Sequence, residues 1–242
     1  MLTTNLAVVF GKERRARFVA QYRLPPSVGP DLLERYPHLS QTGIAAAKVG
    51  LRQWFRLHTA TSRLLGMPSM AVDLLWHEFI LDTAEYSRFC RKAYGGLLHH
   101  RPASQMAGLD EAAINRAMAL TYAMACRDEG MPVRAPVRLP ALFSADADLD
   151  LSDGQRWVLT CGDQTGCCRA DESTRCMRHT LIPLLPSDLP KQLRVGPGGQ
   201  TFYAGGLISG GGATGAFGGG GHSSGGHGHG CGGHGCGGGG GH

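Results

Sequence analysis

Residues 68–82 read Pro-Ser-Met-Ala-Val-Asp-Leu-Leu-Trp-His-Glu-Phe-Ile-Leu-Asp, and the reading of this stretch decides the fold. Pro68 and Ser69 suit a helix start, and from Met70 to Leu81 the run is apolar almost all round, broken only by Asp73, His77 and Glu78. Such a pattern predicts a helix packed on most of its sides. Other helices must therefore surround it. Asp82, with Glu85 three residues on, predicts the start of the next helix. In that helix Tyr86, Phe89, Cys90 and Ala93 share a face, and Gly95-Gly96 ends it. The two helices should form a tight hairpin. Upstream, Ser40 is placed to cap a helix reaching about Ser62, with Ile44, Ala47, Leu51, Trp54, Phe55 and His58 as its buried stripe. His58 is thus expected at the core edge rather than on a metal. A shorter helical segment over Leu32–Tyr36 is opened by Gly29, Pro30 and Asp31 and stopped by Pro37. Downstream, Asp110 caps a helix striped with Ile114, Met118, Tyr122 and Ala125, and Gly130 closes it.

The first 130 residues accordingly read as all-α, and the fold class as mainly α. Composition shifts at Pro132, Pro136 and Pro140, a spacing that favours extended chain over helix. Three parts are expected: a helical domain over 1–131, a small irregular or β-containing Cys-bearing unit over 140–203, and a Gly/His/Cys-rich tail over 205–242. Within the second, Arg156–Thr160 suits a strand, and Leu181–Leu185 is a short apolar run broken by Pro183. The tail holds 22 of the 37 glycines, and no Asp, Glu, Lys or Arg occurs after Arg194. So little apolar surface offsets no ordering entropy, and the tail is expected to be disordered when free.

Charge and cysteine content narrow the function classes. The net charge of +5 is small, and its one local concentration is Lys12, Arg14, Arg15, Arg17 and Arg23. Residues 12–23 fit a solvated helix face better than a nucleic-acid contact, because no aromatic interleaving or recognised motif accompanies them. No apolar run approaches the roughly 20 residues of a membrane span, and Leu6–Phe10 is too short for the core of a signal peptide. Membrane insertion and export are disfavoured, and the expected compartment is the cytoplasm. Eight cysteines in such a chain suit thiols or metal ligands better than a disulfide framework. No pattern implies a nucleotide cofactor.

Three constellations carry metal or acid–base chemistry. Asp73 and His77, four apart in the apolar helix, share a face, so the carboxylate can accept from the imidazole and fix its tautomer. They are either a mutually satisfied structural pair or a site in which Asp73 orients His77 as ligand or base, with Glu78, Cys90, His99 and His100 as available partners. Leu81 stands where H-E-x-x-H requires histidine, which argues against a metalloprotease. His99 and His100 follow a Gly-Gly turn, so at least one should face solvent; Cys90 lies on an apolar stripe and suits core packing.

The second constellation is Cys161, Cys167, Cys168, Cys176 and His179, readable as unlinked thiols, as a zinc set or as a disulfide. It contains no C-x-x-C pair. The nearby run Asp146, Asp148, Asp150, Asp153 has Leu151 and Trp157 where a calcium loop needs Gly and Glu, and is expected to be a solvated acidic loop. Third is the tail, where His222, His227, His229, Cys231, His234, Cys236 and His242 lie in a glycine background that lets them converge on Zn, Ni or Cu.

The string Asp73-Leu74-Leu75-Trp76-His77, followed by Asp82, Tyr86, Cys90, Gly95, His99 and His100, resembles the glycine-rich domain-containing protein-like family of plants and bacteria. The resemblance spans roughly Pro30–Pro102 and places Phe79 where that family carries a second histidine. It implies an uncharacterised bacterial protein with a helical domain and glycine-rich sequence, and no established reaction. The expected function is a non-catalytic binding protein whose tail takes a transition metal or a protein partner. A metal-dependent enzyme centred on Asp73 and His77 with His99 or His100 is the alternative, and nucleic-acid binding through residues 12–23 is the third reading.

Overall fold

The computed structural model describes residues 3–101, 110–161, 174–185 and 202–207, with side chains over 11–101, 110–161 and 174–185. Cys167, Cys168 and the tail residues expected to ligate metal, His222, His227, His229, Cys231, His234, Cys236 and His242, lie outside the described residues. Helix dominates. The helices are α1 (Thr3–Gln21), α2 (Pro30–Arg35), α3 (Gln41–Ala60), α4 (Met70–Leu81), α5 (Thr83–Tyr94), α6 (Glu111–Asp128), α7 (Ala141–Asp148) and the short α8 (Met177–Thr180). Five short strands join them: β1 (Leu65–Met67), β2 (Leu98–Arg101), β3 (Arg156–Val158), β4 (Thr174–Cys176) and β5 (Phe202–Leu207). Among the described residues no helix is long and apolar enough to cross a membrane.

Capping side chains fix where the helices begin. Ser40 Oγ accepts from Gly43 N–H at 3.1 Å, Asp82 caps α5 through Glu85 N–H, and Asp110 accepts from Ala112 N–H at 3.1 Å. Gly95 ends α5 in the left-handed region, at φ 84°, which suits glycine. The three amides of the first turn of α4 that no carbonyl of the helix can reach, those of Met70, Ala71 and Val72, all find side-chain acceptors. Val72 N–H donates to Ser69 Oγ, and Met70 N–H and Ala71 N–H donate at 2.7 and 3.0 Å to the carboxylate of Asp146 on α7; the regular helix ladder begins with Asp73 N–H to the Ser69 carbonyl. Ser69 Oγ and Gln155 N–H donate to that carboxylate as well, at 2.6 and 2.8 Å. Asp146 is therefore buried, at 1% exposure, and the solvated acidic loop expected around it is instead the end of a helix that clamps another. Its neighbours diverge: Asp148 and Asp150 are exposed, and Asp153 accepts from Arg35 and Tyr36.

The core forms where the apolar stripes meet. Trp54 and Phe55 of α3 pack against Trp76 and Phe79 of α4 with ring centroids 5.8–6.3 Å apart, and Phe89 of α5 closes on Phe55 at 4.9 Å. Segments beyond the prolines enter the same core. Phe143 of α7 meets Tyr122 of α6 at 5.7 Å and Trp157 of β3 at 5.2 Å, and the Trp157 indole N–H donates to the Pro68 carbonyl.

Two strands fall inside the span read as all-α. β1 and β2 flank β5, both parallel to it, with Leu65 opposite Ala204 and Leu98 opposite Phe202. At three and four residues these strands are too short to show a period in sequence. Gly66 of β1 marks a close crossing with backbone: a side chain there would meet the Met118 backbone of α6 at 3.2 Å. β3 pairs with β4, also in parallel.

Candidate metal centre

Four residues along a helix return a side chain to the same face, and α4 thereby brings His77 Nδ1 within 3.7 Å of Asp73 Oδ2. The other carboxylate oxygen lies nearer a third residue. His100 Nε2 of β2 is 3.2 Å from Asp73 Oδ1, and the two imidazoles face each other with centroids 4.2 Å apart. One ligand atom from each of Asp73, His77 and His100 lies within 4.8 Å of both others.

A hydrogen-bonded chain holds β2 in this position. Trp76 Nε1 donates to Tyr86 Oη at 3.1 Å, and the Tyr86 hydroxyl donates to the Leu98 carbonyl at 2.6 Å, linking α4, α5 and β2 in the core. Alternation along the strand then sends His100 to the same side as buried Leu98, where its ring packs 4.6 Å from Trp76. His99, on the opposite side, is exposed and outside the cluster. The aromatic residues of the string thus align the polar ones.

The cluster is dry on two sides and open on the third. Asp73 and His100 side chains are 13% and 10% exposed, whereas that of His77 is 46% exposed. Burial lowers the pKa of His77, with the Asp73 charge acting against burial and His100 acting with it. A neutral imidazole is the form that ligates metal.

Glu78 turns away from this group. It accepts from Gly29 N–H at 2.6 Å and Leu32 N–H at 3.1 Å, capping α2 from the opposite side of α4, and burial raises its pKa. Cys90 is fully buried and its thiol pKa is likewise raised by burial. The residues of the basic segment are largely exposed: Arg14, Arg15 and Arg17 on α1 and Arg23 just after it face solvent.

Cys161, Cys176 and His179 form a second group with ligand atoms within 4.8 Å of one another. Cys176 is a buried free thiol, as are Cys90 and Cys126. Cys161 is joined in a disulfide whose partner lies outside the described residues. The third sulfur and the imidazole therefore sit beside a disulfide. A cavity of 740 Å³ lined by Arg138, Ala141, Asp148, Trp157 and Thr160 adjoins this region and includes none of Asp73, His77 and His100.

The chain belongs to the UCP032817-like family, whose model matches residues 14–180, a span that includes both clusters. This corrects the resemblance to glycine-rich domain-containing proteins. The residues that suggested it form one helix and its neighbours, and a helix packed on most sides selects Leu and Trp for burial whatever its family. No curated protein and no solved structure matches the chain.

Proposed function

We propose that this protein binds a divalent transition metal through Asp73, His77 and His100, with Zn²⁺ the ion best suited. The observation that carries the reading is the convergence of one carboxylate oxygen and two imidazole nitrogens from α4 and β2, within 4.8 Å of one another. Ligand atoms around Zn²⁺ lie about 2.0–2.2 Å from the ion, so neighbouring ligands in a tetrahedral set are roughly 3.4 Å apart. The contacts of 3.2 and 3.7 Å around Asp73 are already close to that spacing. Two imidazoles and a carboxylate make three protein ligands, a set that leaves a position open to an exogenous ligand. His77, the exposed member, is the side from which such a ligand would arrive. That opening favours the second reading, a metal-dependent reaction at the same centre.

The tail is the further part of the proposal. His222, His227, His229, Cys231, His234, Cys236 and His242 would capture Zn, Ni or Cu, so that the chain both gathers metal and holds it. Calorimetry on a peptide of residues 221–242 is expected to show Ni²⁺ or Zn²⁺ binding near neutral pH that disappears in mild acid, since histidine protonates around pH 6.5. Absence of heat at micromolar metal removes the tail from the proposal and leaves the body site standing.

For the body site the measurement is zinc stoichiometry by equilibrium dialysis on the full chain, wild type against His77→Gln and Asp73→Ala/His100→Ala. Each variant is expected to lose one tightly held ion relative to wild type. His77→Gln changes a half-exposed side chain and should leave the circular dichroism melt unchanged, which separates ligand loss from unfolding. Equal stoichiometry in all three proteins would overturn the site, leaving Asp73 as a polar tie between α4 and β2.

A further inference from the structure

We propose that Cys161, Cys176 and His179 form a thiol-switched zinc site, closed while Cys161 is in its disulfide and able to bind Zn²⁺ once that disulfide is reduced. It shares no residue with the centre at Asp73 and does not depend on it.

The backbone converges on this point from two directions. β3 and β4 run side by side with Val158 opposite Cys176, and Cys161 follows β3 by three residues. After β4 the chain turns at once into α8, bringing His179 back over the same spot, where its Nδ1 lies 3.1 Å from Cys161 Sγ. Arg178 N–H donates to the Leu159 carbonyl at 3.3 Å and fixes α8 against the end of β3. The Cys176 thiol points to that carbonyl from inside, 1% exposed, while His179 is exposed.

A disulfide needs two sulfurs and no imidazole. This one has a third sulfur and an imidazole nitrogen beside it, within 4.8 Å, which is the donor set of a zinc site. Tetrahedral zinc would hold two thiolates roughly 3.8 Å apart and a thiolate and imidazole roughly 3.5 Å apart. Those spacings are within a small side-chain adjustment of the present ones. In the oxidised form Cys161 offers no thiolate, so the set is one ligand short. Reduction by a dithiol breaks the S–S bond with two electrons and two protons, the dithiol becoming its own disulfide, and frees the Cys161 thiol together with the thiol it was bonded to. Zinc then replaces the protons of Cys161 and Cys176, which are released to solvent, and His179 ligates as the neutral imidazole. A small strand pair and one turn of helix have little core of their own, so the ion would also stiffen this segment.

The test uses the full chain carrying Cys231→Ser and Cys236→Ser, which silences the tail thiols, with Co²⁺ as the spectroscopic probe. Thiolate-to-cobalt charge transfer reports sulfur ligation, to which Asp73, His77 and His100 cannot contribute. The dithiol-reduced protein is expected to bind one Co²⁺ with this band, displaceable by Zn²⁺, and the oxidised protein to show none. His179→Ala, an exposed change, is expected to weaken cobalt binding by more than about tenfold, and Cys161→Ser/Cys176→Ser, which takes away both thiolates, to remove the band. The same band in both redox states, a band surviving Cys161→Ser/Cys176→Ser, or cobalt affinity unchanged by His179→Ala would overturn the proposal. Should the double variant fail to fold, His179→Ala decides alone.

Discussion

Asp146→Ala is expected to lower the unfolding free energy by roughly 3–5 kcal/mol, the largest loss predicted for any single side chain here. The reason is arithmetic on donors. The carboxylate accepts from Ser69 Oγ and from the backbone N–H groups of Met70, Ala71 and Gln155, and alanine would leave all four without their acceptor. Each unsatisfied buried donor costs about 1–3 kcal/mol, and partial relaxation keeps the sum below four times that. Burial raises the pKa of Asp146 and the four donors oppose it, so the site is held by hydrogen bonds rather than by an opposing charge. Asp148→Ala, two residues on and exposed, is the control and should cost less than about 0.5 kcal/mol. Urea melts of the two variants at neutral pH measure the difference. The effect should reach the proposed metal centre as well, because Asp73 occupies the turn of α4 that Asp146 clamps. Loss of zinc affinity together with stability is therefore expected. A loss below about 1 kcal/mol would mean that water replaces the carboxylate at the helix start, and that α4 does not depend on α7.

That clamp also shows what a one-dimensional reading can and cannot reach. Ser40, Asp82, Asp110 and Gly95 declare their helix ends in sequence because a cap works on residues two to four positions away. Asp146 caps a helix more than seventy residues upstream, and Glu78 caps one more than forty upstream, so neither leaves a local pattern. The pairing of Asp73 with His77 is likewise visible as a four-residue interval. Its choice of His100 over His99 is not, since it depends on which side of β2 faces α4. That is set by the Trp76–Tyr86–Leu98 chain. One signal could have found it: Leu98 is apolar and His100 is two residues on, the spacing of one strand face. The Gly95-Gly96 turn made those residues look like loop. The likeness to another family, centred on Asp73–His77, misled for the opposite reason. Leu74, Leu75 and Trp76 are what any deeply packed helix selects, so they carry packing information before they carry ancestry.

His58 supplies the second large effect, and its sign follows from where its protons go. The ring is 1% exposed, edge-on to Trp54 with centroids 4.6 Å apart, and neither ring nitrogen has a hydrogen-bond partner. Burial lowers its pKa from 6.5 to about 3. In the unfolded chain the imidazole takes up a proton as the pH falls below about 6.5, while in the folded protein it stays neutral until about pH 3. The unfolded state thus binds more protons across that window. Stability is full above pH 6.5 and falls by about 1.4 kcal/mol per pH unit below it, reaching roughly 4–5 kcal/mol by pH 3. His77, whose pKa is also lowered by burial, acts in the same direction from a more exposed position. His58→Leu removes the titrating group and two unpaired polar atoms while keeping an apolar side chain on the α3 stripe. At pH 7.5 it is expected to be neutral or stabilising by about 1 kcal/mol, and at pH 5 to exceed wild type by a further 2 kcal/mol or so. Urea melts of both proteins at the two pH values give the comparison as a difference of differences, from which the unchanged titration of His77 cancels. Parallel loss of stability in wild type and His58→Leu between those pH values would show that water or a rearranged neighbour reaches the ring. The acid sensitivity would then belong to the surface histidines instead.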